Sequence, residues 1–345
     1  MINNKKILLI QTGGTISQEK GPNGAFRPSE KNILEFVPSI YELATIETIK
    51  TANIDSTNME TSDRAMLANT IYKNHLKYDG FVITHGTDTM ADTAAALNYM
   101  LQNLGKPIVL TGSQKSIFVP ASDAQNNLYN AITTATMDIG EIVIAFGDKI
   151  VRGNRADKIN ERGLNAFDSP RIPPVGEIGI DILLKSHRIK RSNGDPILFT
   201  NFDTDIEFYQ QASGTSTRIF EGYVKNNKIH GIVIGGYGAG NVQTRLIPYI
   251  KDATKKGKPV IVVTKSQLGA AEMGRYDVGS DALIAGAIPA GDLTTEAATQ
   301  KLMYALGRAN KDKYQGIERL EFIKTLIHRP YAKDMTTIGD SLLIN

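Results

Sequence analysis

Short runs of Ile and Val alternate along this chain with stretches in which apolar residues recur every three or four positions. Residues 7–10, 81–84, 108–111, 142–146, 232–234 and 260–264 are almost free of polar side chains, the pattern of strands buried on both faces. Between two of them, residues 89–104 set Met90, Ala94, Leu97, Met100, Leu101 and Leu104 at helical spacing, and Gly105 and Pro107 end the pattern. Strand, helix, strand in that order calls for right-handed crossovers and a parallel sheet. The fold class expected for both halves is α/β.

A faint echo links the halves. Tyr78-Asp79-Gly80-Phe81-Val82-Ile83, followed by Gly105-Lys106-Pro107-Ile108-Val109-Leu110, returns as Ile229-His230-Gly231-Ile232-Val233-Ile234, followed by Gly257-Lys258-Pro259-Val260-Ile261-Val262. Duplication would produce this, and so would any pair of crossover units. The polar stretch 185–196, closing with Ser192-Asn193-Gly194-Asp195-Pro196, is the natural linker. It divides an N-terminal domain, 1–184, from a C-terminal one, 197–345.

The 345 residues suffice for two domains, and 41% hydrophobic with 22% charged residues is a globular composition. A net charge of +3 implies no polyanionic partner, and the basic run 185–191 reads as solvated linker rather than a nucleic-acid contact. The absence of cysteine excludes disulfides, thiolate chemistry and Cys-based zinc sites. The apolar run 7–10 is too short for a signal peptide, and nothing approaches the roughly 20 apolar residues that span a bilayer. The expectation is a cytoplasmic chain starting at Met1, with no membrane and no nucleic acid among its partners.

Parallel sheets gather ligands at the carboxyl ends of their strands, so chemistry is sought in the loops that follow. Gln11-Thr12-Gly13-Gly14-Thr15 follows the first strand, and His85-Gly86-Thr87-Asp88-Thr89 follows 81–84. The glycines beside Thr12 let backbone approach a ligand, and Thr87 with Asp88 begins a helix whose dipole favours negative charge. A threonine hydroxyl attacks a carbonyl only when a neighbour removes its proton. Lys158 could do so if Asp88 holds it, with loop amides supplying an oxyanion site. Each motif alone has a structural reading: a tight turn at Thr12, helix caps at Thr87 and Asp88, a surface charge at Lys158, a hydrogen-bonded imidazole at His85. The five histidines offer no helical ligand pair, so neither a metal nor a cofactor is expected. The loop Gly235-Gly236-Tyr237-Gly238-Ala239-Gly240 lacks the Walker lysine and an acidic ribose partner.

In combination these motifs resemble those of the bacterial L-asparaginase family over nearly the whole chain. Thr12-Gly13-Gly14-Thr15-Ile16 resembles its first active-site motif and His85-Gly86-Thr87-Asp88-Thr89-Met90 its second. Asp55-Ser56-Thr57-Asn58-Met59, then Asp123 with Asn127-Leu128-Tyr129-Asn130-Ala131, then Arg152-Gly153-Asn154-Arg155 through Lys158 fit in order. Met273-Gly274-Arg275-Tyr276 is similar to the type I, cytoplasmic branch. The resemblance implies a larger N-terminal catalytic domain with a mainly parallel sheet flanked by helices, a smaller C-terminal α/β domain, and a homodimer or homotetramer. It implies an amidohydrolase that releases ammonia from a small amino-acid amide, with Thr12 as nucleophile of an acyl-enzyme. Thr87, Asp88 and Lys158 then activate water or, in another view of the family, attack first. Asp55, Ser56, Thr57 and Gly86 hold the substrate with Asp88, and Asn241 and Tyr276 reach a neighbouring subunit's site.

Two positions depart from the family pattern. The mobile lid carries Phe26 where a tyrosine is usual, which keeps the apolar body and loses a hydroxyl beside Thr12. Activity is then weakened, or another tyrosine serves. Gly235-Gly236 stands where an arginine of the type I effector site is expected. Two competing readings follow: an amide-binding homologue without catalysis, and the amidase subunit of a tRNA-dependent amidotransferase, for which this chain lacks an additional N-terminal domain.

Overall fold

The structure, a computed structural model, describes residues 5–21, 26–274 and 276–337, the side chain of Phe26 excepted. The chain divides into two compact units, Met1–Thr200 and Asn201–Asn345. Among the described residues no helix is long and apolar enough to cross a membrane.

The first unit is built on an eight-stranded sheet. From one edge its strands are Thr45–Ile54, Lys6–Gly13, Gly80–Thr84, Ile108–Thr111 and Ile142–Phe146, all parallel. Lys149–Arg152, Gly176–Ile178 and Ile182–Leu184 extend the other edge antiparallel. Every residue of Gly80–Thr84, Ile108–Thr111 and Ile142–Phe146 is buried, as the apolar runs predict for crossover-linked strands. Ile7, Leu9, Val82, Val109 and Val143 share one core with Leu128, Ala131, Ile132 and Ala135 of helix Ala124–Thr136.

The order of the strands matters more than their number. The first strand has the second on one side and the third, fourth and fifth on the other. The chain therefore reverses its direction of travel between Lys6–Gly13 and Gly80–Thr84. Such a reversal opens a crevice beyond the carboxyl ends, because successive loops lead away to opposite sides.

Two expectations are corrected. The helix expected over 89–104 spans Met90–Met100, and Leu101–Gln102 instead pairs antiparallel with Ile197–Leu198. Asn103 (φ 59°) and Gly105 (φ 67°) take left-handed conformations that no α-helix continues, so strand pairing prevails over apolar periodicity. The stretch 185–196 is not freely solvated either. Arg191 donates to the carbonyls of Asp79, Ala135 and Met137, and Arg188 pairs with Asp138 at 3.0 Å.

The second unit carries a four-stranded parallel sheet, Ile206–Gln210, Gly231–Gly236, Val260–Thr264 and Ile288–Pro289, in simple sequential order without a reversal. Phe220, Ile232, Ile234, Ile250, Val260 and Val262 form part of its core.

The sequence echo has a physical counterpart. Lys106 Nζ donates to His75 O (2.5 Å) and Tyr78 O (2.8 Å), just past helix Thr61–Asn74. Lys258 Nζ donates to Tyr223 O, Val224 O and Asn226 O (2.8–3.0 Å), at the end of helix Arg218–Lys225. In both Gly-Lys-Pro segments the lysine thus neutralises the carbonyl end of the helix that leads into the neighbouring strand. A generic crossover does not require that contact. Replacing the buried Lys258 by Met strands three carbonyls, and the expected loss of stability is about 2 kcal/mol. Urea unfolding measures it, and an unchanged midpoint would mean that water replaces the ammonium.

Candidate functional site

Three loops leave the strands around the reversal: 12–15, 55–58 and 85–89. Glycines bring them together. Gly13 (φ 105°) is paired with Ile54, and a Cβ there would stand 2.6 Å from Ile54 O. A Cβ on Gly14 (φ 82°) would collide with the Gly86 backbone, and one on Gly86 would lie 2.5 Å from Ser56 Oγ. The sequence suggested glycines that admit a ligand. Their observed work is to let three loops touch one another.

Thr12 sits where the register between Lys6–Gly13 and Thr45–Ile54 slips, the kind of irregularity that re-aims a side chain. It is buried, and its hydroxyl donates to Thr84 O at 2.9 Å. With its proton so placed, the oxygen keeps its lone pairs. Thr87 is buried too, and Lys158 Nζ donates to Thr87 Oγ1 at 2.9 Å and to Asp88 Oδ1 at 2.5 Å. Lys158 comes from the short ladder Asp157–Lys158 with Phe167–Asp168, 71 positions along the chain from Thr87. Because Thr87 Oγ1 accepts from the ammonium, its own proton is left for another acceptor. The Asp88 side chain is 59% exposed, so its second oxygen is open to a ligand.

Ser56 is buried at the head of the 3₁₀ turn Ser56–Asn58, and Thr89 Oγ1 donates to its carbonyl at 2.7 Å. Asp55 Oδ1 accepts from Thr57 Oγ1 (2.7 Å) and Thr57 N (2.9 Å), which hold the Asp55 carboxyl below the usual carboxylate range. Asp55 and Thr57 therefore spend these groups on the turn that presents Ser56. Asp123 and Asn127 order the next loop: Asp123 accepts from the amides of Gln114 and Lys115, and Asn127 donates to Gly112 O.

Asn241 and Tyr276 belong to the second unit. Asn241 Oδ1 is buried without a hydrogen-bond partner, and Tyr276 is 53% exposed. The glycine loop 235–240 closes on itself, with Gly240 N and Asn241 N both donating to Tyr237 O, and no helix begins directly after it to receive a phosphate. Among the described residues one grouping has metal-ligand composition, Asp203, Asp205 and His230. There His230 Nδ1 already lies 2.8 Å from Asp203 Oδ2, which also accepts from Asn310. The backbone of Phe26 lies in the ladder Gln18–Lys20 with Phe26–Pro28, while Gly24, Ala25 and the Phe26 side chain lie outside the described residues.

Sequence reasoning missed the supporting polar groups. Thr84 receives the Thr12 hydroxyl, Thr89 ties two loops, and Thr93 with Arg64 stands behind His85. Thr89 and Thr93, four apart at a helix start, were the only signal for these roles. His85 is fully buried, its Nδ1 2.7 Å from Gly86 O and its Nε2 2.9 Å from Thr93 Oγ1. This is the hydrogen-bonded imidazole anticipated from its place in the motif.

The family model described as asparaginase, N-terminal, matches residues 6–190, and that described as glutaminase/asparaginase C-terminal domain matches residues 205–319. The chain is 37% identical to an L-asparaginase of Thermococcus kodakarensis, over 96% of this chain and 99% of that one. A solved structure of the thermostable L-asparaginase from that organism superposes with a TM-score of 0.88 at 36% identity, covering 96% of this chain and 99% of the other. L-asparaginase 1 of Escherichia coli K12 is 34% identical over 88% of this chain and 92% of its own. A glutamyl-tRNA(Gln) amidotransferase component of Pyrococcus abyssi is 32% identical over 96% of this chain but only 77% of its own length.

Burial holds the His85 imidazole at about 4, against 6.5 for the free side chain. Between those values the unfolded chain binds a proton that the folded chain refuses. Stability is therefore complete above pH 6.5 and falls as the pH drops toward about 4. The expected loss through this residue is on the order of 3 kcal/mol. Urea midpoints of parent and His85→Gln at pH 7 and pH 4.5 should show a shallower acid dependence in the variant. Equal slopes would assign the acid sensitivity elsewhere.

Proposed function

The chain belongs to the asparaginase family, and we propose that it hydrolyses L-asparagine to aspartate and ammonia through an ester on Thr12. It is an amidohydrolase. The observation that supports the finer reading is the convergence at the strand reversal of the Thr12 loop with the Ser56 and Thr87 loops, the last held through Lys158.

In this reading Ser56 and the open Asp88 oxygen grip the α-carboxylate and α-ammonium groups, with Asp55, Thr57 and Gly86 shaping that grip. Thr12 Oγ attacks the side-chain amide carbon. The C–N bond breaks, and the Thr12 proton ends on the departing nitrogen, relayed through the Thr87 hydroxyl that Lys158 holds. Loop amides stabilise the oxyanion. Water then attacks the ester, passes its proton along the same Thr87–Lys158 pair, and restores Thr12. Threonine hydroxyls, Lys158 and loop amides together supply this chemistry. Asn241, with its unpartnered amide oxygen, and the exposed Tyr276 are assigned to a neighbouring subunit's site in a cytoplasmic homodimer or homotetramer.

One observation favours a second order of events. Lys158 stands 2.9 Å from Thr87, whereas the Thr12 hydroxyl rests on a carbonyl, so Thr87 attacking first is the competing sequence.

A coupled assay with free asparagine and no tRNA should register ammonia. Thr12→Ala and Thr87→Val should each lower turnover at least about 100-fold, and Lys158→Met should stay folded while losing most activity. A folded variant with parental turnover removes its residue from the mechanism. No ammonia from asparagine or glutamine in the parent would favour an amide-binding protein, and ammonia only with charged tRNA an amidotransferase component.

A further inference from the structure

Behind the Thr87 loop runs a line of buried polar groups that the proposed reaction does not use. Arg64 of helix Thr61–Asn74 is buried, and its Nε donates to Thr93 Oγ1 at 3.2 Å. Thr93, on helix Met90–Met100, is fully buried and lies 2.9 Å from His85 Nε2. His85 Nδ1 lies 2.7 Å from the carbonyl of Gly86, the residue before Thr87.

The directions of these bonds follow from what each group can do. A carbonyl only accepts, so His85 Nδ1 carries a proton and donates to Gly86 O. In the neutral ring Nε2 is then bare and must accept, and its partner Thr93 supplies the hydroxyl hydrogen. Arg64 Nε–H, a donor without acceptor capacity, occupies a lone pair of Thr93 Oγ1 and leaves that hydroxyl free to donate to the ring. A single polarity therefore runs from the guanidinium to the Gly86 carbonyl. Because the Gly86–Thr87 peptide is planar and trans, fixing its carbonyl toward His85 turns the Thr87 N–H the opposite way.

We infer that Arg64 and Thr93 are positioning residues that lock His85 in its Nδ1–H form and thereby set the peptide that carries Thr87. This rests on the reading of Thr87 as catalytic. Satisfying a buried hydroxyl does not call for an arginine, whose charge is costly to bury and is offset here by Asp92 and Asp63. A group that can only donate does call for one, if the direction of the line is what matters.

The test joins kinetics to the state of the ring. Nitrogen-15 spectra of the histidine-labelled parent, with the His85 signals identified by their loss in His85→Gln, should show Nδ1 protonated and Nε2 bare. Thr93→Val removes the donor to Nε2. It should shift His85 toward the other tautomer and lower kcat at least about ten-fold with KM for asparagine changed less than about two-fold. Thr93→Ser, which restores the hydroxyl, should return both to near parental values. Arg64→Lys, which keeps the charge but moves the donor, should change the ring and kcat in the same direction as Thr93→Val, and it serves if the latter does not fold. An Nε2–H ring in the parent, or a folded Thr93→Val with the parental tautomer and kcat, overturns the inference. Should the parent release no ammonia, the reading of Thr87 fails, and the ring spectra alone still decide whether Arg64 and Thr93 set the tautomer.

Discussion

No Cβ fits between the loops that bear Thr12, Ser56 and Thr87, and the rest of the site depends on that exclusion. Gly13 and Gly14 take φ of 105° and 82°, a region costly for other residues, and their α-carbons press on Ile54 and on Gly86. Gly86 in turn leaves room only for Ser56 Oγ. Three strand ends are thereby drawn to one spot, and that spot is where the strand order reverses. Hydroxyls from separate parts of the chain converge because backbone can touch backbone there. A single methyl group at Gly14 would separate the first loop from the third.

The remaining partner, Lys158, reaches this spot from its own two-stranded ladder, and a buried ion pair holds its approach. Arg152 Nε lies 2.5 Å from Glu141 Oε2, with both side chains almost wholly excluded from water. Arg152 Nη2 also donates to the carbonyl of His187, and Ile189 N donates to Glu141 Oε1, so the same pair pins the 185–191 stretch. The turn Gly153–Arg155 that follows presses on helix Met90–Met100, where a Cβ on Gly153 would lie 2.9 Å from Ala94. That helix starts just after Thr87 and Asp88 and carries Thr93. One helix thus registers the lysine, the threonine it contacts and the polar line behind them. Breaking such a pair on one side leaves an uncompensated buried charge, which makes the geometry difficult to deform.

The sheet was legible in the sequence because its central strands are buried on both faces and so read as unbroken apolar runs. The end of helix Met90–Met100 was not. Leu101 and Leu104 continue the helical period, yet what stops the helix is Asn103 in a left-handed conformation and pairing with Ile197–Leu198, about which local periodicity carries no information. At the site, the threonine-rich loops stood out by their position after strands. Lys158 stood out less, since a lone lysine in a polar stretch looks like surface, and it was named only on condition that Asp88 holds it. Arg64 left no trace, because an arginine inside a helix reads as part of its solvated face. The reason given for Gly13 and Gly14 was also incomplete, for glycine marks close approach without saying to what.

Which threonine carries the acyl group decides most directly between the two orders of attack. Lys158→Met keeps both hydroxyls and slows the relay that both steps share, so acid quenching of the variant with asparagine traps whichever ester forms. Peptide mass spectrometry of that quenched variant should find an aspartyl ester on the segment containing Thr12 and none on the segment containing Thr87. An ester on Thr87, with Thr12 unmodified, would contradict the account and establish the competing order of attack.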